Sequence, residues 1–180
     1  MRINKILGSD VSYEQRVSMG EQLLKKIGIS VPPGYVDTKN TVLRKAVWES
    51  INHNGLVIES SDYESGKKIF INAMFWLLCY DTEYYAEDFR VGTLPEIYKN
   101  YYLTVSQNNG WYNVFSFIVS DPILAIHDFW ILDDMPLDFK NAVSAGVKKR
   151  LYEKKYSMFF VDRATMDKFS YLKNFKVVFV

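Results

Sequence analysis

Cysteine is almost absent. Cys79 stands alone in 180 residues, which excludes an internal disulfide and any Cys-rich zinc site and suits a reducing compartment. Histidine is nearly as scarce: His53 and His127 are the two present. Neither has a Cys or second His at ligand spacing, so no metal is expected. Charge of one sign is also lacking. Lys+Arg 22 against Asp+Glu 21 leave a net charge of +1, which excludes a general nucleic-acid coat but not a local basic patch. Long hydrophobic runs are missing as well. The longest, Ile69 to Tyr80, is broken by Asn72 and spans about 12 residues against the roughly 20 of a membrane helix. Ser9 and Asp10 interrupt the apolar start, so no signal peptide is expected and the chain reads as soluble and intracellular, without a membrane partner. The nine glycines are scattered, mostly at expected helix ends. No Gly-x-x-x-x-Gly-Lys loop and no Gly-x-Ser-x-Gly elbow appears, so neither a nucleotide cofactor nor a serine nucleophile is marked.

What the sequence has in excess is aromatic side chains, 16% of all residues: Tyr 13, Phe 12 and Trp 4. Tyr and Trp bury large areas while keeping a polar tip, which suits cores and interfaces alike. The local patterns predict a helix over 12–27, with Ser12 and Gln15 as a capping box and Gly28 as its stop. Val31-Pro32-Pro33-Gly34 forms a rigid linker. A second helix is expected over 38–53 behind Asp37, then a short strand at Leu56-Val57-Ile58. A polar turn fills 60–66. For 69–80 periodicity does not separate helix from strand; its length and Ala-Met-Phe-Trp-Leu-Leu composition favour a helix. Thr93-Leu94-Pro95-Glu96 starts another helix, running to Asn108-Asn109-Gly110. Tyr112 to Val119 and Leu124 to Ile131, separated by Ser120-Asp121-Pro122, read as a β-hairpin. A long helix follows Met135-Pro136, with an aspartate before it as cap. Its stripe Phe139, Val143, Val147 and Leu151 is expected to face the first two helices. Asp162 to Thr165 starts a last short helix, and Lys176 to Val180 is a terminal strand. The fold class expected is α+β, a helical bundle packed with a small antiparallel sheet, in one domain over 1–180 with an aromatic-rich insertion at 66–110.

Few residues group into candidate sites. His127 and Asp128 are neighbours in an expected strand, where adjacent side chains point to opposite faces, so they would not pair. Asp81, Glu83, Glu87 and Asp88 form an acidic loop without the order or glycine of an EF-hand. Lys148, Lys149, Arg150, Lys154 and Lys155 concentrate positive charge at the end of the long helix. There they suit the helix dipole, or face a phosphate backbone or an acidic neighbour.

Two blocks carry a resemblance. In the first, a helix ends at Ile27-Gly28, prolines 32 and 33 follow, and a second helix closes before Gly55. In the second, a hydrophobic strand runs into Asp134-Met135-Pro136 and a long helix with Phe139-Lys140. Together they resemble the tail tubular protein A family, the head-to-tail adaptors of short-tailed bacteriophages. The resemblance implies a structural virion component made in the host cytoplasm, without catalysis or cofactor. It would be a homo-oligomeric ring between a portal protein and a tail nozzle protein, with DNA passing through its lumen. The alternatives from the residues are a binding module, such as an immunity protein or an enzyme inhibitor, and an enzyme with a dispersed acid–base site.

Overall fold

The computed structural model describes residues 12–79, 89–103 and 109–180. Helix α1 (Tyr13–Lys26) opens on the reciprocal Ser12–Gln15 box and ends before Gly28, which takes φ +90°. Helix α2 (Thr41–Asn52) starts later than the sequence suggests. Asn40 caps it by accepting the Leu43 amide at 3.0 Å, while Asp37 accepts the Lys39 amide instead. Strand β1 (Gly55–Glu59) leads into α3 (Tyr63–Cys79), so most of the expected polar turn is already helix. The acidic loop 81–88 lies outside the described residues, as does the expected helix end at 108. Then come β2 (Phe89–Gly92) and α4 (Leu94–Ile97), which Thr93 caps and which widens into a π-type turn at Tyr98–Leu103.

The expected hairpin is the largest local correction. Its first half is helix α5 (Gly110–Ser120), and its second is a short strand, β3 (Ile123–Ile126), followed by a 3-10 turn at Phe129–Asp134. Aromatic and β-branched composition argued for strand, but Val114 and Ile118, one turn apart, are both fully buried. Ile118 packs so closely on α6 (Leu137–Tyr152) that a Cβ on Gly146 would lie 2.6 Å from its Cγ2. Tertiary packing overrides a weak β preference.

Pro136 precedes α6 without a side-chain cap, so the expected aspartate cap is absent. Asp133 instead binds Lys140 and Lys168. Strand β4 (Tyr156–Val161), helix α7 (Arg163–Lys168) capped by Asp162, a 3-10 turn at Ser170–Asn174 and strand β5 (Lys176–Phe179) complete the chain.

The five strands form one sheet in the order β2-β3-β4-β1-β5, and every pairing is parallel. This overturns the α+β expectation of a helical bundle with a small antiparallel sheet: the chain is a layered α/β fold. The physical signature is in the strands. β1, β3 and β4 are buried along their whole length, as they must be in a sheet covered on both faces. Leu56, Ile58, Met158 and Phe160 pack with α1, α2 and α3. Val57, Phe159, Val161, Leu124 and Ile126 pack with α5, α6 and α7 on the other face. The buried stripe Phe139, Val143 and Val147 of α6 belongs to that second layer, so it does not meet the first two helices. Segment 66–110 supplies most of α3 and all of β2. Among the described residues no helix is long and apolar enough to cross a membrane.

From β1 the chain crosses two strands to β2 by way of α3 on one face. From β2 it returns strand by strand, and finally past β1 to β5, on the other face. Reversing direction while keeping right-handed crossovers requires this change of face. The loops leaving β1 and β4 therefore diverge to opposite sides, opening a crevice beyond their carboxyl ends.

Candidate functional site

A cavity of about 400 Å³ occupies that crevice, lined by Ser60, Ser61, Tyr63, Trp130, Phe160 and Asp162. Each side chain comes from a strand end or from the segment just after one. Ser60 and Ser61 succeed β1, Tyr63 opens α3, Trp130 lies in the turn after β3, Phe160 is near the end of β4, and Asp162 comes directly after it. The rings meet one another: Tyr63 lies 6.0 Å from Trp130 edge-on and 5.9 Å from Phe160. Asp162 accepts the Thr165 amide at 2.8 Å through Oδ1, which fixes its position at the start of α7. None of the six lining residues is basic.

The β1–α3 connection has the layout of a phosphate-binding loop: a buried strand, a short turn, then a helix with Gly66-Lys67 in its first turns. The geometry departs from one. Ser61 stands where the first glycine of that motif belongs, and Lys68 where a Mg²⁺-binding Ser or Thr belongs. Three of the connection's amides, those of Asp62, Glu64 and Gly66, are used internally. Ser60 Oγ accepts the Asp62 amide at 3.1 Å and donates to the Asp62 carbonyl at 2.8 Å. Asp62 Oδ1 accepts the Glu64 amide at 3.2 Å, its Oδ2 accepts the Ser65 hydroxyl at 2.6 Å, and its carbonyl accepts the Gly66 amide at 2.9 Å. Gly66 serves packing: a Cβ there would come within 2.3 Å of the Phe160 ring and 2.8 Å of Ser60 Cβ.

Lys67 lines a second cavity of about 320 Å³ together with Thr93, Glu96 and His127. Asp128, beside His127, accepts the Leu94 amide at 2.8 Å. Burial raises its carboxyl above the ordinary aspartate range, against the lowering effects of that hydrogen bond and of His127. His127 and Asp128 lie in the turn after β3, not in a strand as the sequence suggested. Among the described residues no three His, Cys, Asp or Glu side chains gather as a metal site would require. His53 ends α2 and Cys79 is buried at the end of α3.

The basic cluster is not wholly on the surface. Arg150 is fully buried. Its Nε donates to Ser157 Oγ at 2.7 Å, and its terminal nitrogens donate to the carbonyls of Ile118, Asp121, Pro122 and Tyr156 at 2.6–3.2 Å. All five guanidinium donors are thereby used, joining the end of α5 to the amino ends of β3 and β4. Lys149 and Lys155 pair with Glu153 at 3.5 and 3.1 Å. Lys148 sits 5.6 Å from the Tyr171 ring centre, and Lys154 is exposed with φ +58°. Of the residues that carried the adaptor resemblance, Ile27 and Gly28 end α1, Gly55 opens β1, Asp134, Met135 and Pro136 lead into α6, and Phe139 is buried in its first turn.

The switch-point crevice escaped the sequence reading. Its signal was Gly66-Lys67 placed between an apolar strand and an apolar helix, visible once the first glycine and the final hydroxyl of the motif are not required.

These features define a layered parallel α/β domain with a ligand-sized cavity at its topological switch point. No family model matches the chain, and no curated protein matches it in sequence.

Proposed function

We propose that the chain is a non-catalytic binding module, with the layout of a nucleotide-binding domain but without its phosphate cradle. The observation that carries this reading is the closed 60–66 turn. There the amides of Asp62, Glu64 and Gly66 bond to Ser60 and Asp62 and are taken from any anion. The Mg²⁺-binding hydroxyl is replaced by Lys68, and the adjacent cavity carries an acid and no base among its lining residues. Binding then proceeds through the aromatic crevice and its surroundings. This suits the inhibitor or immunity-type role that the composition allows. The test is incubation with Mg-ATP. Phosphate release is expected at the protein-free background, and the melting temperature is expected to stay unchanged. Saturable hydrolysis, or stabilisation that saturates with ATP, would overturn the reading.

A second reading is the ring-forming adaptor between a portal protein and a tail nozzle protein in a virion. Exposed apolar side chains on α2 and α6 favour it: Val42, Trp48, Leu137 and Tyr152 are 52–82% accessible and would be covered by neighbours in a ring. The parallel sheet does not match the antiparallel sheet that the sequence patterns suggested. Native mass with and without a portal ring separates the two: the adaptor assembles on the portal, the binding module does not.

A further inference from the structure

The cavity between β1 and β4 differs in chemistry from what its place in the fold would ordinarily hold. A phosphate needs donors and positive charge. The lining offers three aromatic rings, two serines and one carboxylate. Ser60 Oγ is already engaged with the Asp62 backbone, so Asp162 is the lining group that carries charge. An aromatic ring presents its negative face to a cation, and a carboxylate beside such faces adds Coulombic attraction. Tyr63, Trp130 and Phe160 stand within 6.0 Å of one another in neighbouring pairs and at an angle rather than in a flat stack. They wall a volume of about 400 Å³, at the small end of the range for organic ligands. Lys67, which lies 6.0 Å from the Tyr63 ring centre, lines the neighbouring cavity and not this one.

We propose that this crevice binds an alkylammonium group, with Tyr63, Trp130 and Phe160 as its aromatic walls and Asp162 as its counter-charge. The proposal rests on the binding-module reading. Its chemistry is shared by free amines such as choline and by methylated lysine side chains of a protein, and the test separates these sources.

The full chain is titrated by calorimetry with choline, with its neutral isostere 3,3-dimethylbutanol, with a trimethyl-lysine peptide, and with Mg-ATP, all at one ionic strength. The ammonium form is expected to bind at least tenfold more tightly than the neutral isostere. Asp162→Asn removes the charge but keeps an oxygen able to cap α7. It is expected to weaken ammonium binding about tenfold, or roughly 1.4 kcal/mol, with the melting temperature nearly unchanged. Trp130→Phe, which keeps a ring in place, is expected to weaken it less. Tighter binding of choline than of the peptide assigns a free amine, and the reverse assigns a protein side chain. Equal binding of choline and its isostere, or an Asp162→Asn variant that binds like the wild type, overturns the proposal. So does the absence of binding by both ammonium probes. In each of these cases the binding-module reading stands unless Mg-ATP binds, and saturable Mg-ATP binding sinks that reading separately.

Discussion

The two ends of the sheet are built on opposite terms. At the amino end of β3 and β4, Arg150 is buried with every donor engaged, four of its five hydrogen bonds going to backbone carbonyls. At the carboxyl end, the loops diverge around two cavities, and Trp130 Nε1 is a buried donor with no hydrogen-bond partner among the described residues. A closed polar network fixes one geometry and leaves nothing to recognise a ligand. A crevice with aromatic walls and one carboxylate sacrifices packing and keeps surface for recognition. The contrast teaches that charge density along the sequence does not mark exposure here: the densest basic run contributes its arginine to the interior.

The largest effect should come from breaking the closed end. Arg150→Met fills similar volume but strands one hydroxyl and four carbonyls that now accept from the guanidinium. Breaking such a buried network should cost roughly 3–5 kcal/mol, read as a lower urea midpoint. A variant as stable as wild type would show that the guanidinium adds nothing net. Next comes crowding, which probes both ends at similar cost. Gly66→Ala pushes a methyl into the Phe160 ring beside the crevice, and Gly146→Ala pushes one into Ile118 between α5 and α6. Each should cost about 1–3 kcal/mol. Only Gly66→Ala should also change ligand binding at the crevice, because Phe160 is one of its walls. Equal effects of both variants on binding would dissolve the distinction between the two ends.

The smallest effect concerns Asp128. Burial, the leading cause, raises its carboxyl above the ordinary range. The folded chain therefore holds that proton more tightly than the unfolded chain. The stabilisation from this proton is fully present below the ordinary aspartate value of about 3.9 and is lost as pH rises through the raised folded value. Asp128→Asn removes the charged form. It should melt slightly higher than wild type at pH 7 and converge with it below about pH 4. A variant less stable than wild type at pH 7 would show that the hydrogen bond from Leu94 outweighs the burial of charge.

Helix ends were the most legible part of the fold, because caps and stops act within a few residues. Ser12 with Gln15, Gly28, Thr93 and Asp162 all work where the sequence put them. The strands of β1 and β5 were legible as strands, but their direction was not. A buried parallel strand and one half of a buried hairpin both read as short apolar runs. The segment 112–119 misled for a related reason: its aromatic and β-branched residues suit a strand, yet Val114 and Ile118 repeat at the helical interval that α6 accepts. At the candidate site, the Ser60-Ser61 turn was legible in principle from its place before Gly66-Lys67, whereas the aromatic walls were not, since no spacing rule links Tyr63, Trp130 and Phe160.

By itself the sequence determined the chemistry available: a lone thiol, two histidines, balanced charge and an excess of aromatic side chains. It also determined the starts of α1, α4 and α7, because their caps depend on contacts between residues three apart. Only the tertiary structure decided the strand order, which faces the helices cover, and that Arg150 is inside while Lys148, Lys149 and Lys154 are outside. It alone brought three separate segments together around one crevice. The reason is range: local hydrogen bonds fix an element's beginning and end. The pairing of β1 with β4, and so the crevice beyond them, depends on burying both faces of the sheet at once.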